Sequence, residues 1–207
     1  MEIKRDRKNR MLWLSQRKYM NNVLEKFNMI DCRQLVVPVA QGMKLSVEDC
    51  PKSPTEMEDM TKVPYASAVG SLMYAMVYTR PHISLAVGVL SRFMVNLGRP
   101  HWNDVKRVFR YLKSTSQYAL CYYGNSDRSK RSISIRGFVD SDRAGDIDNR
   151  RSTSGYIFLV NGGAVSWMSK RQVVVTLSTT KVEYMVVTHD LKKLFGLGDC
   201  VLMLVLM

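Results

Sequence analysis

All six prolines of this 207-residue chain, Pro38, Pro51, Pro54, Pro64, Pro81 and Pro100, lie in its first hundred positions. Proline fixes φ and removes a backbone donor, so it punctuates helices and is kept out of central strands. The first part must therefore be assembled from short segments that restart at proline. The remainder is free of that constraint, and its apolar pattern changes with it, from helical spacing to the alternation of strands from Ser132 onward. Between the two lies GNSDRSKR (Gly124 to Arg131), a polar and charged run of loop type. The expected organisation is α+β: residues 1–125 mostly helical with an N-terminal hairpin, a linker at 126–131, and a sheet-containing part at 132–207.

Local signals fill in this outline. Glu2 to Arg5 and Met11 to Ser15 flank the polar Lys8-Asn9-Arg10 and predict a hairpin, followed by a helix that carries Tyr19, Met20, Val23, Leu24 and Phe27 with Ser15 as N-cap. Ser53-Pro54-Thr55-Glu56 combines a capping box with proline at the first helical position. Helices are expected over about Tyr65 to Tyr78, rich in small residues, and Pro81 to Leu97, with Gly98 as C-cap. The helix opened by Pro100 buries Trp102, Val105, Val108, Phe109 and Leu112. Its other face carries Lys106, Arg107, Arg110 and Lys113, either to contact phosphates or as an ordinary solvated face. Beyond the linker, strands are expected at Ile133 to Asp140, Gly155 to Val160 and Ala164 to Met168, the last two joined by the turn signal Asn161-Gly162-Gly163. Further β character at Val173 to Leu177 leads to a helix from Thr180.

Composition narrows the function. Lys and Arg outnumber Asp and Glu by 31 to 18, a formal charge of +13, which favours polyanionic partners, above all nucleic acid. The cysteines, Cys32, Cys50, Cys121 and Cys200, match no zinc, redox or disulfide framework. No apolar run approaches the ~20 residues of a membrane helix and the start lacks a secretion signal, so the chain is expected to be soluble and intracellular, in cytoplasm or nucleus, with no membrane partner.

The densest acidic cluster is Asp140-Ser141-Asp142-Arg143-Ala144-Gly145-Asp146-Ile147-Asp148. It fails as an EF-hand loop, because Ala144 holds the fifth position and Arg151 stands where the bidentate Glu belongs. Asp140 and Asp142 share one strand face. Paired carboxylates there either bind a hard cation such as Mg²⁺ or are held by Arg143, Arg150 and Arg151. There is no nucleophile elbow, no histidine with a spaced partner and no phosphate-binding glycine loop, and no small-molecule substrate is implied.

Four stretches, VPYASAVGSLMYAMVYTRPHISLAVGVLSRFMVN (Val63 to Asn96), RPHWNDVKRVFRYLKSTS (Arg99 to Ser116), GFVDSDRAGDIDNRRSTSGYIF (Gly137 to Phe158) and SWMSKRQVVVTLSTTKVEYM (Ser166 to Met185), resemble the Pol polyprotein of copia-type LTR retrotransposons. The opening residues resemble the same polyprotein just past its polymerase active site. The resemblance implies the helical thumb and connection region of a reverse transcriptase over 1–125, then an incomplete ribonuclease H-like domain, a three-stranded sheet plus a helix. It implies a nucleic-acid partner, an RNA:DNA hybrid or DNA, and Mg²⁺ as cofactor. By motif, Asp140 takes the place of the first-strand catalytic aspartate and Glu183 that of the helix glutamate, both of them metal ligands. Lys181 stands where an acidic residue is usual, and His82 where the family reads TRPDI. The polymerase aspartates are not in this chain, and the later ribonuclease H aspartates have no counterpart in it. Two carboxylates are too few to clamp two divalent ions, so the expectation is hybrid affinity without independent catalysis. The alternatives are a residual Mg²⁺-dependent ribonuclease H and a plain basic binding module.

Overall fold

In the computed structural model, which describes residues 1–40, 45–124, 133–142 and 145–172, the chain divides into two compact units, Met1–Gly124 and Asn125–Met207. The expected Val173 strand, the Thr180 helix, Glu183 and the linker at 126–131 lie outside the described residues.

The first unit begins with the expected hairpin, β1 (Glu2–Asp6) and β2 (Met11–Ser15). Its turn is closed by the Asp6 carboxylate, which accepts from the backbone N–H groups of Lys8 and Asn9 and from the Asn9 side chain. Those bonds, led by the Asn9 backbone, hold the Asp6 carboxyl below the ordinary aspartate value. A strand the sequence pattern left unmarked, β3 (Ala119–Tyr123), pairs antiparallel with β2 and completes a sheet of order β1-β2-β3.

Helix α1 (Arg17–Lys26) follows β2 directly. Ser15 does not cap it. As the last residue of β2 it pairs with Ala119 and its hydroxyl donates to Glu2, so the N-cap falls to Gln16, without a side-chain cap bond. Helix α2 (Pro54–Thr61) forms as its signal predicts: Ser53 Oγ accepts from the Glu56 N–H at 3.2 Å, while the Glu56 carboxylate reaches back to the N–H of Lys52. Helix α3 (Tyr65–Thr79) is continuous. The helix expected at Pro81 to Leu97 instead breaks into a 3-10 turn at Pro81–Ile83, helix α4 (Ser84–Leu90) and a 3-10 turn at Ser91–Phe93. Hydroxyls of Ser84 and Ser91 bond carbonyls three residues back, at Pro81 and Gly88, and compete with regular helix pairing at both ends.

Helix α5 (Arg99–Ser114) reverses one expectation: Gly98 is its N-cap, not the C-cap of the segment before. The Gly98 N–H donates to Nδ1 of buried His101, which stacks on Phe93. A Cβ on Gly98 would stand 1.8 Å from the carbonyl oxygen of Asp49, so the 3-10 turn Val47–Asp49 approaches the start of α5 more closely than any side chain permits. The core of this unit lies between α1, α3, α4 and α5, around Met20, Leu24, Val69, Leu72, Val87, Leu90, Val105 and Phe109.

The second unit carries β4 (Ile135–Asp142), β5 (Thr153–Val160) and β6 (Gly163–Arg171), an antiparallel sheet of order β4-β5-β6. Asn161 and Gly162 both have positive φ, 49° and 83°, as a two-residue hairpin between β5 and β6 requires. Tyr156 and Phe158 of β5 are buried. No helix among the described residues is long and apolar enough to cross a membrane.

Candidate nucleic-acid interface

The basic residues proposed on α5 are not a freely solvated row. All four are partly buried. Arg110 Nε donates to the carbonyl of Arg33 at 2.7 Å and Lys113 Nζ to that of Cys32 at 2.8 Å. Ser114 Oγ bonds the Leu35 carbonyl, and the Leu35 N–H returns to the carbonyl of Arg110. These contacts strap the irregular segment after α1 along α5, so two cations of the row act as fasteners for backbone carbonyls. Arg107 has its Nε buried without a hydrogen-bond partner among the described residues. It also faces Asp104, whose carboxyl is raised by burial, an effect the Arg107 charge opposes. Lys106 completes the row.

Arg80, which the sequence reading passed over, is fully buried at 0% exposure. Its Nη1 and Nη2 donate to the carbonyls of Thr115 and Ser116 at 2.7 and 3.0 Å, where α5 ends and its dipole is negative. Burial lowers the pKa of the guanidinium, and the nearby Tyr111 and Tyr118 work the other way. His82 packs edge-on to Tyr111 at 5.3 Å. Desolvation and the Arg80 charge hold its imidazole below the ordinary value, though the residue stays exposed and solvent softens both effects.

A surface that no motif announced lies on α3. Tyr65, Ala68, Val69, Leu72, Ala75 and Thr79 face the core. Ala66, Gly70, Met73, Tyr74, Val77 and Tyr78 form a second stripe at helical spacing, exposed and without charge. A helix apolar on both sides is ordinarily buried; this one leaves half its circumference open. Gly70 sits mid-helix, and a Cβ there would find nothing within 4 Å, so nothing inside the unit requires glycine. Helix α1 runs antiparallel beside the stripe. Thr79 Oγ1 donates to Gln16, Tyr19 OH to the Ser71 carbonyl and Lys26 Nζ to Ser67 Oγ. Tyr19, Tyr74 and Tyr78 form a file with ring centroids 4.7 and 4.5 Å apart. Exposed Arg17 and Lys18 stand at one end of this pair and Lys26 at the other. The available signal in the sequence was apolar residues at every helical phase of Tyr65 to Tyr78.

In the second unit the acidic run divides. Asp140, exposed near the end of β4, accepts from the Ser141 N–H at 2.8 Å. The Asp142 carboxylate lies where a Cβ of Gly145 would stand. Asp146 is buried, with Oδ2 accepting from Arg171 Nη1 at 2.6 Å and from the Asn149 amide at 3.2 Å. It therefore fastens the β4–β5 connection to the end of β6. No group of three His, Cys, Asp or Glu that fits a metal ion occurs around Asp140 among the described residues, and Glu183 lies outside them.

The chain is 51% identical over 95% of its length to the "Retrovirus-related Pol polyprotein from transposon TNT 1-94" of Nicotiana tabacum, and 36% identical over 88% to that of transposon RE2 of Arabidopsis thaliana. It spans only 14% and 12% of those two polyproteins. It is also 50% identical over 63% of its length to "Secreted RxLR effector protein 161" of Plasmopara viticola, of which it covers 88%. No family model and no solved structure matches it.

Proposed function

We propose that this chain, which is similar to retrovirus-related Pol polyproteins of transposons, is a Pol segment that grips nucleic acid, an RNA:DNA hybrid foremost, without cutting it. The observation that carries this reading is the open stripe on α3. Hybrid duplexes near A-form present a wide, shallow minor groove floored by sugars and base edges and edged by phosphates. An uncharged helix face with a bare backbone at Gly70 and flat rings at Tyr74 and Tyr78 suits that floor. Arg17, Lys18 and Lys26 beside it suit the phosphate edges. The net charge of +13 supplies the sequence-independent attraction. The resemblance of the sequence to reverse-transcriptase and ribonuclease H segments favours hybrid as the ligand. The reading of binding without hydrolysis rests on the sequence, in which only Asp140 and Glu183 match the carboxylates that a two-metal reaction needs.

The test is anisotropy of a labelled RNA:DNA hybrid with Mg²⁺ present, across a salt series, with strand integrity read on a denaturing gel. Expected are an intact RNA strand and an affinity whose logarithm falls linearly with log salt. Tyr74→Ala lowers affinity at an unchanged salt slope, and Lys26→Ala reduces the slope by about one. Asp140→Asn changes neither. Absence of binding ends the reading. Cleavage that disappears with Asp140→Asn replaces it with the residual ribonuclease H.

A further inference from the structure

The two edges of the β4-β5-β6 sheet are unlike. On β6 the pairing with β5 shifts register between Phe158 and Leu159, and exposed Lys170 stands near the strand's end. A bulge and a lysine are common means of keeping an edge from recruiting another strand. β4 has neither, nor a proline. It keeps unbroken register with β5 from Ile135 to Asp142, and every residue of it except Ser141 is exposed, Phe138 at 56%. The Asn161 N–H bonds the Ser134 carbonyl at 2.8 Å. By the alternation of an antiparallel ladder, Arg136, Phe138 and Asp140 then bond inward to β5, while Ile135, Gly137, Val139 and Ser141 turn their N–H and C=O groups away from it. Ser141 agrees with this: its N–H goes to the neighbouring Asp140 carboxylate. Among the described residues no strand lies on that side of β4.

We infer that β4 pairs antiparallel with β4 of a second copy of this chain, about a two-fold axis at Phe138. The strand is complementary to itself. With Phe138 opposite Phe138, each Arg136 falls opposite the other copy's Asp140, each Gly137 opposite Val139, each Ile135 opposite Ser141 and each Ser134 opposite Asp142. Arg136, Phe138 and Asp140 share one strand face, so a central pair of rings is flanked by two ion pairs, as an isologous contact requires. Neither Arg136 nor Asp140 has an ion-pair partner among the described residues. The outward backbone groups of Gly137 meet those of Val139, which lets the two strands exchange ladder bonds. Neighbouring registers, centred on Gly137 or Val139, set Phe138 against a charge instead. Bulk charge does not forbid the pairing: the unit Asn125–Met207 holds 12 basic against 8 acidic residues, only +4 of the chain's +13, and physiological salt screens such repulsion beyond about 8 Å. The inference is independent of hybrid binding, whose stripe lies on α3 in the other unit.

The experiment is sedimentation equilibrium of the full chain over a concentration series at fixed salt. A monomer–dimer equilibrium is expected. Arg136→Asp weakens the dimer at least tenfold, because it turns both ion pairs into like-charge pairs, and Asp140→Arg does the same. Combining the two reversals restores the parent affinity, which a merely unfolding substitution would not do. Phe138→Cys, oxidised in air, gives a disulfide-linked dimer on a non-reducing gel above the level of the parent, since directly opposed Cβ atoms stand about 5 Å apart. Ser141→Cys does not, because its two copies lie about 20 Å apart along the strands. A monomer at every concentration, a dimer indifferent to the single reversals, failure of the double reversal to restore it, or equal crosslinking through Ser141→Cys overturns the inference. Hybrid anisotropy on the same samples reads the proposed function separately, since no substitution touches the α3 stripe.

Discussion

Replacing Gly70 separates what the fold needs from what the proposed ligand needs. A helix-interior glycine costs about 0.5–1 kcal/mol relative to alanine, because its unfolded backbone has more freedom to lose. In α3 that cost has no internal compensation, since an added Cβ meets nothing within 4 Å. Gly70→Ala should therefore stabilise the unit Met1–Gly124 by that amount. With an unfolding entropy of ~2.1 cal/mol/K per residue, such a unit gains about 2–4 °C in Tm. Hybrid affinity should move in the opposite direction, because the methyl stands between the helix backbone and the groove floor. Gly70→Glu, which adds a carboxylate facing phosphates, should reduce affinity at least tenfold while the protein stays folded. Differential scanning fluorimetry and hybrid anisotropy on the same preparations give both numbers. A lower Tm for Gly70→Ala refutes the claim that the space is open. Unchanged hybrid affinity in Gly70→Glu refutes the placement of the ligand on this stripe.

Gly98→Ala should cost about 2–3 kcal/mol in urea unfolding, because its Cβ would collide with a backbone carbonyl rather than a yielding side chain. Arg80→Met should cost about 2–4 kcal/mol by the same measurement, since it strips two charge-assisted bonds from the Thr115 and Ser116 carbonyls; an equal loss in Arg80→Lys would show that the two-pronged geometry matters as much as the charge. Asp146→Asn should cost about 2 kcal/mol, less than a fully buried pair because the Arg171 side chain is 35% exposed, and should raise amide exchange at the ends of β5 and β6. For His82, whose folded pKa is depressed, the unfolded chain takes up the proton first. Its contribution is complete above the unfolded value of ~6.5 and is lost as pH falls below it toward the folded value. His82→Gln should accordingly show a shallower fall of Tm than the parent between about pH 7 and 4.

Features fixed by local chemistry were legible in advance. The hairpin at Lys8 to Arg10, the Ser53 cap and the Asn161–Gly162 turn each depend on residues a few positions apart, and the structure forms all three. Features that depend on long-range contact were not. β3, Ala119 to Tyr123, is an apolar run without alternation that only β2 beside it identifies as a strand. Gly98 was assigned to the wrong helix because the approach of Asp49 is invisible along the chain. Arg110 and Lys113 look like any exposed cations until carbonyls from residues 32 and 33 arrive nearly eighty positions away in sequence. Asp146 reads as one member of an acidic cluster, and only the return of β6 shows that Arg171 holds it.

The roles of Arg110, Lys113 and Arg171 share a cause that bears on the site itself. In a chain with 31 basic side chains, a charge near a functional motif is a weak pointer, because every buried carbonyl or carboxylate competes for a donor. Arg80, Arg110, Lys113 and Arg171 each answer such a demand. An exposed apolar helix face answers none: it leaves hydrophobic surface in water, and mid-helix Gly70 adds conformational entropy to the cost. The open stripe on α3 is thus the feature that folding alone explains least. It carries more weight in locating a ligand than the basic row on α5, whose cations have structural work within the unit.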